Sequence, residues 1–161
     1  MKMKALVFCG MALLASFSYA TLGGEEDSPS ADGRVRKALD KTELKYMVDN
    51  DGDYCLLFSP EVVYINSQTE TIGDLEVREV WCRAVKCEDG FSKEELLAML
   101  KKNARVKIGA WQVLSDGKSA VFQCVVSANA SGETLETAVR AVVGSVRSAK
   151  KEFLKDRPEE E

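Results

Sequence analysis

Apolar residues recur along this chain in two rhythms, and the switches between them mark the elements. Val35, Ala38, Leu39 and Thr42 fall three or four residues apart with Arg and Lys between them, which predicts a helix over residues 33–43. Residues 45–48 then read as a short strand, Asp49-Asn50-Asp51-Gly52 as a turn, and residues 53–58 as a second strand stopped by Ser59-Pro60. Val62-Val63-Tyr64-Ile65, β-branched and aromatic, predicts a third strand. Residues 75–86 carry both rhythms. Val77, Val80, Trp81, Ala84 and Val85 fit a helical stripe, while the density of valine and tryptophan favours a strand, bulged where the alternation breaks. The pattern leaves both open, with the strand preferred.

Beyond Asp89-Gly90 the signals sharpen. Ser92 and Glu95 have capping-box spacing, and Leu96, Leu97, Met99 and Leu100 follow, which predicts a helix over 93–103. Residues 106–114 and 120–127 read as strands joined by the hairpin signal Ser115-Asp116-Gly117-Lys118. Leu135, Ala138, Val139, Val142, Val146, Ala149 and Phe153 then share one face of a long helix over 133–155, with Ser131 placed to cap it. Tight turns impose antiparallel pairing, and amphipathic helices must bury their apolar faces on the sheet. The expected fold is therefore α+β: a two-layer antiparallel sheet with helices packed on one face.

The two ends follow neither rhythm. Lys2 and Lys4 precede a near-continuous apolar run over residues 5–17, and Ser18-Tyr19-Ala20 places small residues at −3 and −1 of a cut after Ala20. That is the layout of a secretory signal peptide over residues 1–20. The run is shorter than the roughly 20 residues a membrane-spanning helix needs. Phe8 before Cys9 speaks against lipidation. Residues 21–32 read as a flexible acidic leader, 33–155 as a single domain, and 156–161 as an acidic tail. The mature protein is expected to be exported, periplasmic or secreted.

Composition removes several function classes. The chain has 22 basic and 26 acidic residues, and signal cleavage removes two of the lysines. No long basic stripe is present, so a nucleic-acid partner is not expected. The local exception is Lys101-Lys102-Asn103-Ala104-Arg105-Val106-Lys107, whose plainest reading is a solvated helix end. There is no histidine, which excludes Ser-His-Asp and Cys-His catalysis and most catalytic zinc sites. Ser145 or Ser148 with Lys150 is the remaining Ser-Lys arrangement, and exposed helix surface explains it more simply. Asp49-Asn50-Asp51-Gly52-Asp53 alternates acids like a calcium loop, but Gly52 and Pro60 fall at the wrong positions for one. No cofactor or metal is expected.

An early helix, the run Lys45-Tyr46-Met47-Val48-Asp49-Asn50-Asp51-Gly52-Asp53-Tyr54, a Leu-rich helix ending near Asn103, a hairpin around Asp116-Gly117 and a long last helix together resemble the YbjN family of bacterial proteins. That family carries the label of sensory transduction regulators, and its fold is similar to that of type III secretion chaperones. The resemblance spans residues 34–155. It implies a surface for a peptide or protein partner, a capacity for homodimers, and no chemistry.

Four cysteines lie beyond the signal: Cys55, Cys82, Cys87 and Cys124. An even number in an exported chain predicts at least one disulfide, with the pairing open. Trp81, Trp111 and Tyr64 read as core or half-buried strand residues. Asn129-Ala130-Ser131 fits a glycosylation pattern and reads as a loop before the last helix. Any part of the face formed by Leu135, Val139, Val142, Val146 and Phe153 that the sheet leaves uncovered would be a partner surface. These features point to an exported, non-enzymatic domain that binds a protein or peptide. The alternative is a disulfide-stabilised structural or envelope-stress protein with no dedicated ligand.

Overall fold

The computed structural model describes residues 31–155. The expected signal peptide, most of the leader and the acidic tail lie outside the described residues. Helix α1 spans Gly33–Leu39, capped by Asp32, whose carboxylate accepts from the Arg34 N–H. It stops short of the expected end at residue 43 because the Thr42 N–H and hydroxyl both bond to the Leu39 carbonyl and close the last turn. Strands β1 (Met47–Val48), β2 (Tyr54–Phe58) and β3 (Glu61–Ile65) follow. Strand β4 (Glu70–Ile72) has no counterpart in the sequence reading: three fully exposed residues are too few to show an alternation. It turns at Gly73, φ 62°, into β5 (Leu75–Lys86). The ambiguous segment is thus a strand, with a bulge between Arg83 and Val85.

Helix α2 (Lys93–Asn103) carries the capping box formed by Ser92 and Glu95. Strand β6 (Ala110–Val113) is shorter than expected, and it starts only after Gly109, φ 79°, where a Cβ would sit 2.5 Å from the Gln123 carbonyl oxygen. Strand β7 (Ser119–Ser127) returns through the Asp-Gly hairpin, in which Asp116 accepts from the N–H groups of Lys118 and Ser119. Helix α3 (Gly132–Glu152) is capped by Ser131.

The sheet is entirely antiparallel in the order β1-β2-β3-β5-β7-β6, with β4 extending the β3 side of β5. Its inner face carries Tyr54, Leu56, Val63, Ile65, Val80, Cys82, Phe122 and Cys124. Against them α3 buries Leu135, Val139, Val142 and Val146, and α1 buries Val35 and Leu39. The last helix starts hard against α1: a Cβ at Gly132 would meet the Ala38 carbonyl oxygen at 2.4 Å. Farther along, Glu61 is nearly buried and accepts from Arg147 Nε (2.9 Å), which ties α3 to the β2–β3 turn. This is the expected two-layer α+β fold, with all three helices associated with one face and one end of the sheet.

Candidate partner-binding surfaces

Among the described residues, Ile72 and Leu75 stand exposed at the β4–β5 turn, and three broader stretches of apolar surface are left open; the expected one is not among them. Leu135, Val139, Val142 and Val146 are buried, so the face of α3 proposed as a partner surface is core. A helix with one continuous apolar stripe buries it wherever a sheet of matching length is available. Only Phe153, half-buried just beyond α3, reaches open space.

That space is a groove of about 320 Å³ between the second half of α3 and the segment joining α2 to β6. Trp111 and Phe153 form its apolar wall, meeting edge-to-face at 5.6 Å, and Trp111 also meets Phe122 at 5.3 Å. The α3 side is lined by Ala141, Gly144, Ser145 and Ser148. Their small side chains leave the groove open, and a Cβ at Gly144 would touch nothing within 4 Å. Lys102 and Lys107 line the opposite side, with Val106 and Ile108. Lys102 forms an ion pair with Glu152, whose carboxylate also accepts from the Ser148 hydroxyl.

Strand β6, at the groove wall, is an edge strand. Its outward backbone groups at Trp111 are taken by one side chain: the Trp111 N–H donates to Asn103 Oδ1 (2.7 Å), and Asn103 Nδ2 donates to the Trp111 carbonyl (3.1 Å). The amide of Asn103 therefore stands where another strand would pair.

The second open surface is the back of the sheet. Met47, Cys55, Tyr64, Trp81, Gln123 and Ala110 lie in register across it. Tyr64 and Trp81 stack at 4.6 Å, and the Trp81 indole N–H donates to Asn66 Oδ1 (2.8 Å). Met47, Leu57 and Val125 stand exposed around this pair. The third surface is the outer side of α2, where Leu96, Leu97 and Leu100 face solvent and Leu100 is 65% exposed.

Charged clusters elsewhere serve the fold. Arg78, 1% exposed on the inner face of β5, donates to Asp32 Oδ2 (2.5 Å) and to the carbonyls of Asn66 (2.7 Å) and Ala128 (3.2 Å). Arg34 chelates Glu76 (2.6 and 2.8 Å) and also binds Asp32. Burial alone would raise the Asp32 pKa, but the hydrogen bonds from Arg34 and Arg78 outweigh it and hold the carboxyl well below the usual range. The hydrogen bonds from Arg34 and then Thr69 pull Glu76 down to about 2.

The acidic run between β1 and β2 is a self-capped turn. Asp49 Oδ1 accepts from the N–H groups of Asp51 and Asp53, and Asp53 Oδ1 accepts from the Ser67 N–H. Among the described residues no group of three or more His, Cys, Asp or Glu could hold a metal ion. No described helix is long and apolar enough to cross a membrane.

The expected disulfide is not formed: Cys55, Cys82, Cys87 and Cys124 are buried, and none of them is in a disulfide. Cys55 lies on the back face, opposite the face that carries Cys82 and Cys124. Cys82 pairs across the sheet with Phe122, and Cys124 with Val80, so the two cysteines are diagonal neighbours. Diagonal positions stand about 7–8 Å apart, beyond the span of a disulfide. Burial pushes the thiol pKa up to about 12 at Cys82 and about 11 at Cys124. At Cys55 burial, followed by the charge of Asp49, has the same effect, to about 12.

The fold places the chain among α+β proteins shaped like type III secretion chaperones. The chain is similar to the Yersinia pestis type III secretion chaperone SycH, solved in complex with a stable fragment of YscM2, with a TM-score of 0.51 over 73% of this chain and 97% of that one. Sequence identity is 14%, so the likeness is one of fold. No family model matches the chain, and none of the curated proteins matches it.

Proposed function

We propose that this chain is an exported, non-enzymatic protein-binding domain related to the YbjN family, which holds a protein or peptide partner in the groove between α3 and β6. One observation carries the reading: α3 spends its apolar stripe on the core, yet Trp111 and Phe153 still wall a groove that small residues on α3 keep open. The chaperone SycH, similar in fold, was solved with a protein fragment bound. The perturbed carboxylates Asp32 and Glu76 are committed to Arg34 and Arg78, which supports binding rather than catalysis. The signal-like layout of residues 1–20 supports export.

The test compares capture by the wild-type chain and by Gly144→Leu, immobilised side by side and exposed to the envelope fraction of the source cells. A stoichiometric partner retained by the wild type and lost by the variant supports the reading. Equal retention moves the partner to another surface, and no retention by either removes the groove function.

A further inference from the structure

We propose that the groove between α3 and β6 selects an acidic peptide segment that carries one bulky apolar residue. The inference rests on the protein-binding reading and adds the chemistry of the partner. The groove has an apolar wall, Trp111 and Phe153, and a cationic rim on the side facing it. Lys107 lines the groove and pairs with no carboxylate among the described residues, and neither do exposed Lys101 and Arg105 on the same segment. Lys102 lines it too and is matched by Glu152, the acid on the facing helix. Lys107 thus stands at the opening with its countercharge unfilled, and Lys101 and Arg105 carry two more unmatched charges on the same segment.

In a chain of net charge −4, so local a positive excess is a recognition feature rather than a reflection of the whole surface. A volume of about 320 Å³ takes a bulky side chain and its flanking backbone. Ser145, which lines the groove, offers a hydroxyl to that backbone. Anionic lipid would meet the same cations, but a bilayer is flat and the apolar wall is recessed between two elements. The groove geometry favours the peptide.

The asymmetry of the cluster matters. Sequence position alone makes these residues the basic end of α2, where cations suit the helix dipole. Only Lys101 and Lys102 lie within α2, however; Arg105 follows its C-cap Ala104, and Lys107 lies two residues farther on. A ligand would account for Lys107, exposed on the lining of an apolar groove with no carboxylate opposite it.

The experiment is a titration of the full chain with a short fluorescent peptide in which a phenylalanine is flanked by aspartates and glutamates. The same peptide with asparagine and glutamine in their place, and vesicles of zwitterionic or mixed anionic lipid, serve as controls. The acidic peptide is expected to bind about tenfold more tightly than its amide counterpart, the sum of ion pairs to Lys107 and to Lys101 and Arg105 on the same segment. Its affinity falls with added salt. Lys107→Glu should lower the affinity by a similar factor. Gly144→Leu, at a position where a Cβ meets nothing within 4 Å, should abolish binding while leaving the melting temperature unchanged or higher.

Equal affinity for acidic and amide peptides, with loss of both in Gly144→Leu, would overturn the charge selection and leave the groove reading standing. Peptide binding indifferent to Gly144→Leu would overturn the site. Binding of anionic vesicles with no response to either peptide would replace the peptide with a membrane and overturn the proposal.

Discussion

Arg78 is the residue on which most of the structure's electrostatics turn. It shares the inner face of β5 with Val80 and Cys82, so the fold buries a cation where the pattern calls for a hydrophobe. Asp32 is the partner that makes this tolerable. Replacing Asp32 with Asn keeps a good helix cap but leaves Arg78 without its countercharge. The expected loss is about 3 kcal/mol, as for a buried ion pair broken on one side, read from urea unfolding at neutral pH. The pH dependence follows from the sign of the shifts. Asp32 and Glu76 both have folded-state values below their ordinary ones, so their stabilisation is complete above the ordinary carboxylate range. It is lost as pH falls through the folded values, for Glu76 between about 4.5 and about 2. Wild-type stability should fall steeply below pH 4.5, and Asp32→Asn should flatten that limb. The four buried thiols give a second expectation: a thiol reagent reacts slowly with the native chain 21–161 and stoichiometrically with four sites once it is unfolded. A native chain with fewer than four thiols after denaturation would refute the free-cysteine state. Neither feature was fully legible beforehand. The inward register of Arg78 was present in the alternation around Val80 and Cys82, but its partner lies 46 residues away. The cysteine count implied bridges only because register was unknown.

At the level of elements, the sequence pattern resolved what has a strong local signal. The capping box of α2, the stripe of α3 and the Asp-Gly hairpin all rest on residues within one turn of each other, and all are where they were expected. The errors fall where tertiary context decides. Strand β4 exists only because β5 offers it an edge, and β6 begins late because Gly109 must pass close to the Gln123 carbonyl. The candidate site shows the same division. Trp111, Phe153 and the Lys101–Lys107 segment each stood out in the sequence, but nothing local brings a strand residue, a helix end and a loop to one groove. Asn103 joins two of these elements through its paired bonds to Trp111. Asn103→Ala should cost about 1–2 kcal/mol, because it strips both partners from a half-covered backbone. It should also open the β6 edge to another strand, seen as concentration-dependent aggregation. Gly144 offers the converse. Replacing it with Ala removes an unfavourable helix residue in open space and should stabilise the chain by about 0.5–1 kcal/mol. A fall in melting temperature would mean that the groove is closed in solution.

The whole molecule has a covered face and an open one, and the open leucines of α2 are not part of either. Leu96, Leu97 and Leu100 project away from the groove side of the helix, on which Met99 is buried and Lys102 half-buried. Three exposed leucines on one helix surface are costly in a monomer. A second copy covers them at no cost in charge complementarity, since an isologous contact places like patches together and these are apolar. For the homodimer that the family resemblance implies, the leucines of α2 are the surface we propose, and α3, whose stripe is core, is not. Leu100→Glu tests this cleanly. Leu100 is exposed, so the monomer fold loses no burial, while two glutamates facing each other across the symmetry axis repel. Light scattering over a range of concentrations should show the wild type passing from monomer to dimer and the variant remaining monomeric, with unchanged secondary structure. If peptide binding survives in the variant, the groove is complete within one chain. If the wild type is monomeric at every concentration, the leucines are not a self-contact, and they join the groove as surface awaiting a different protein.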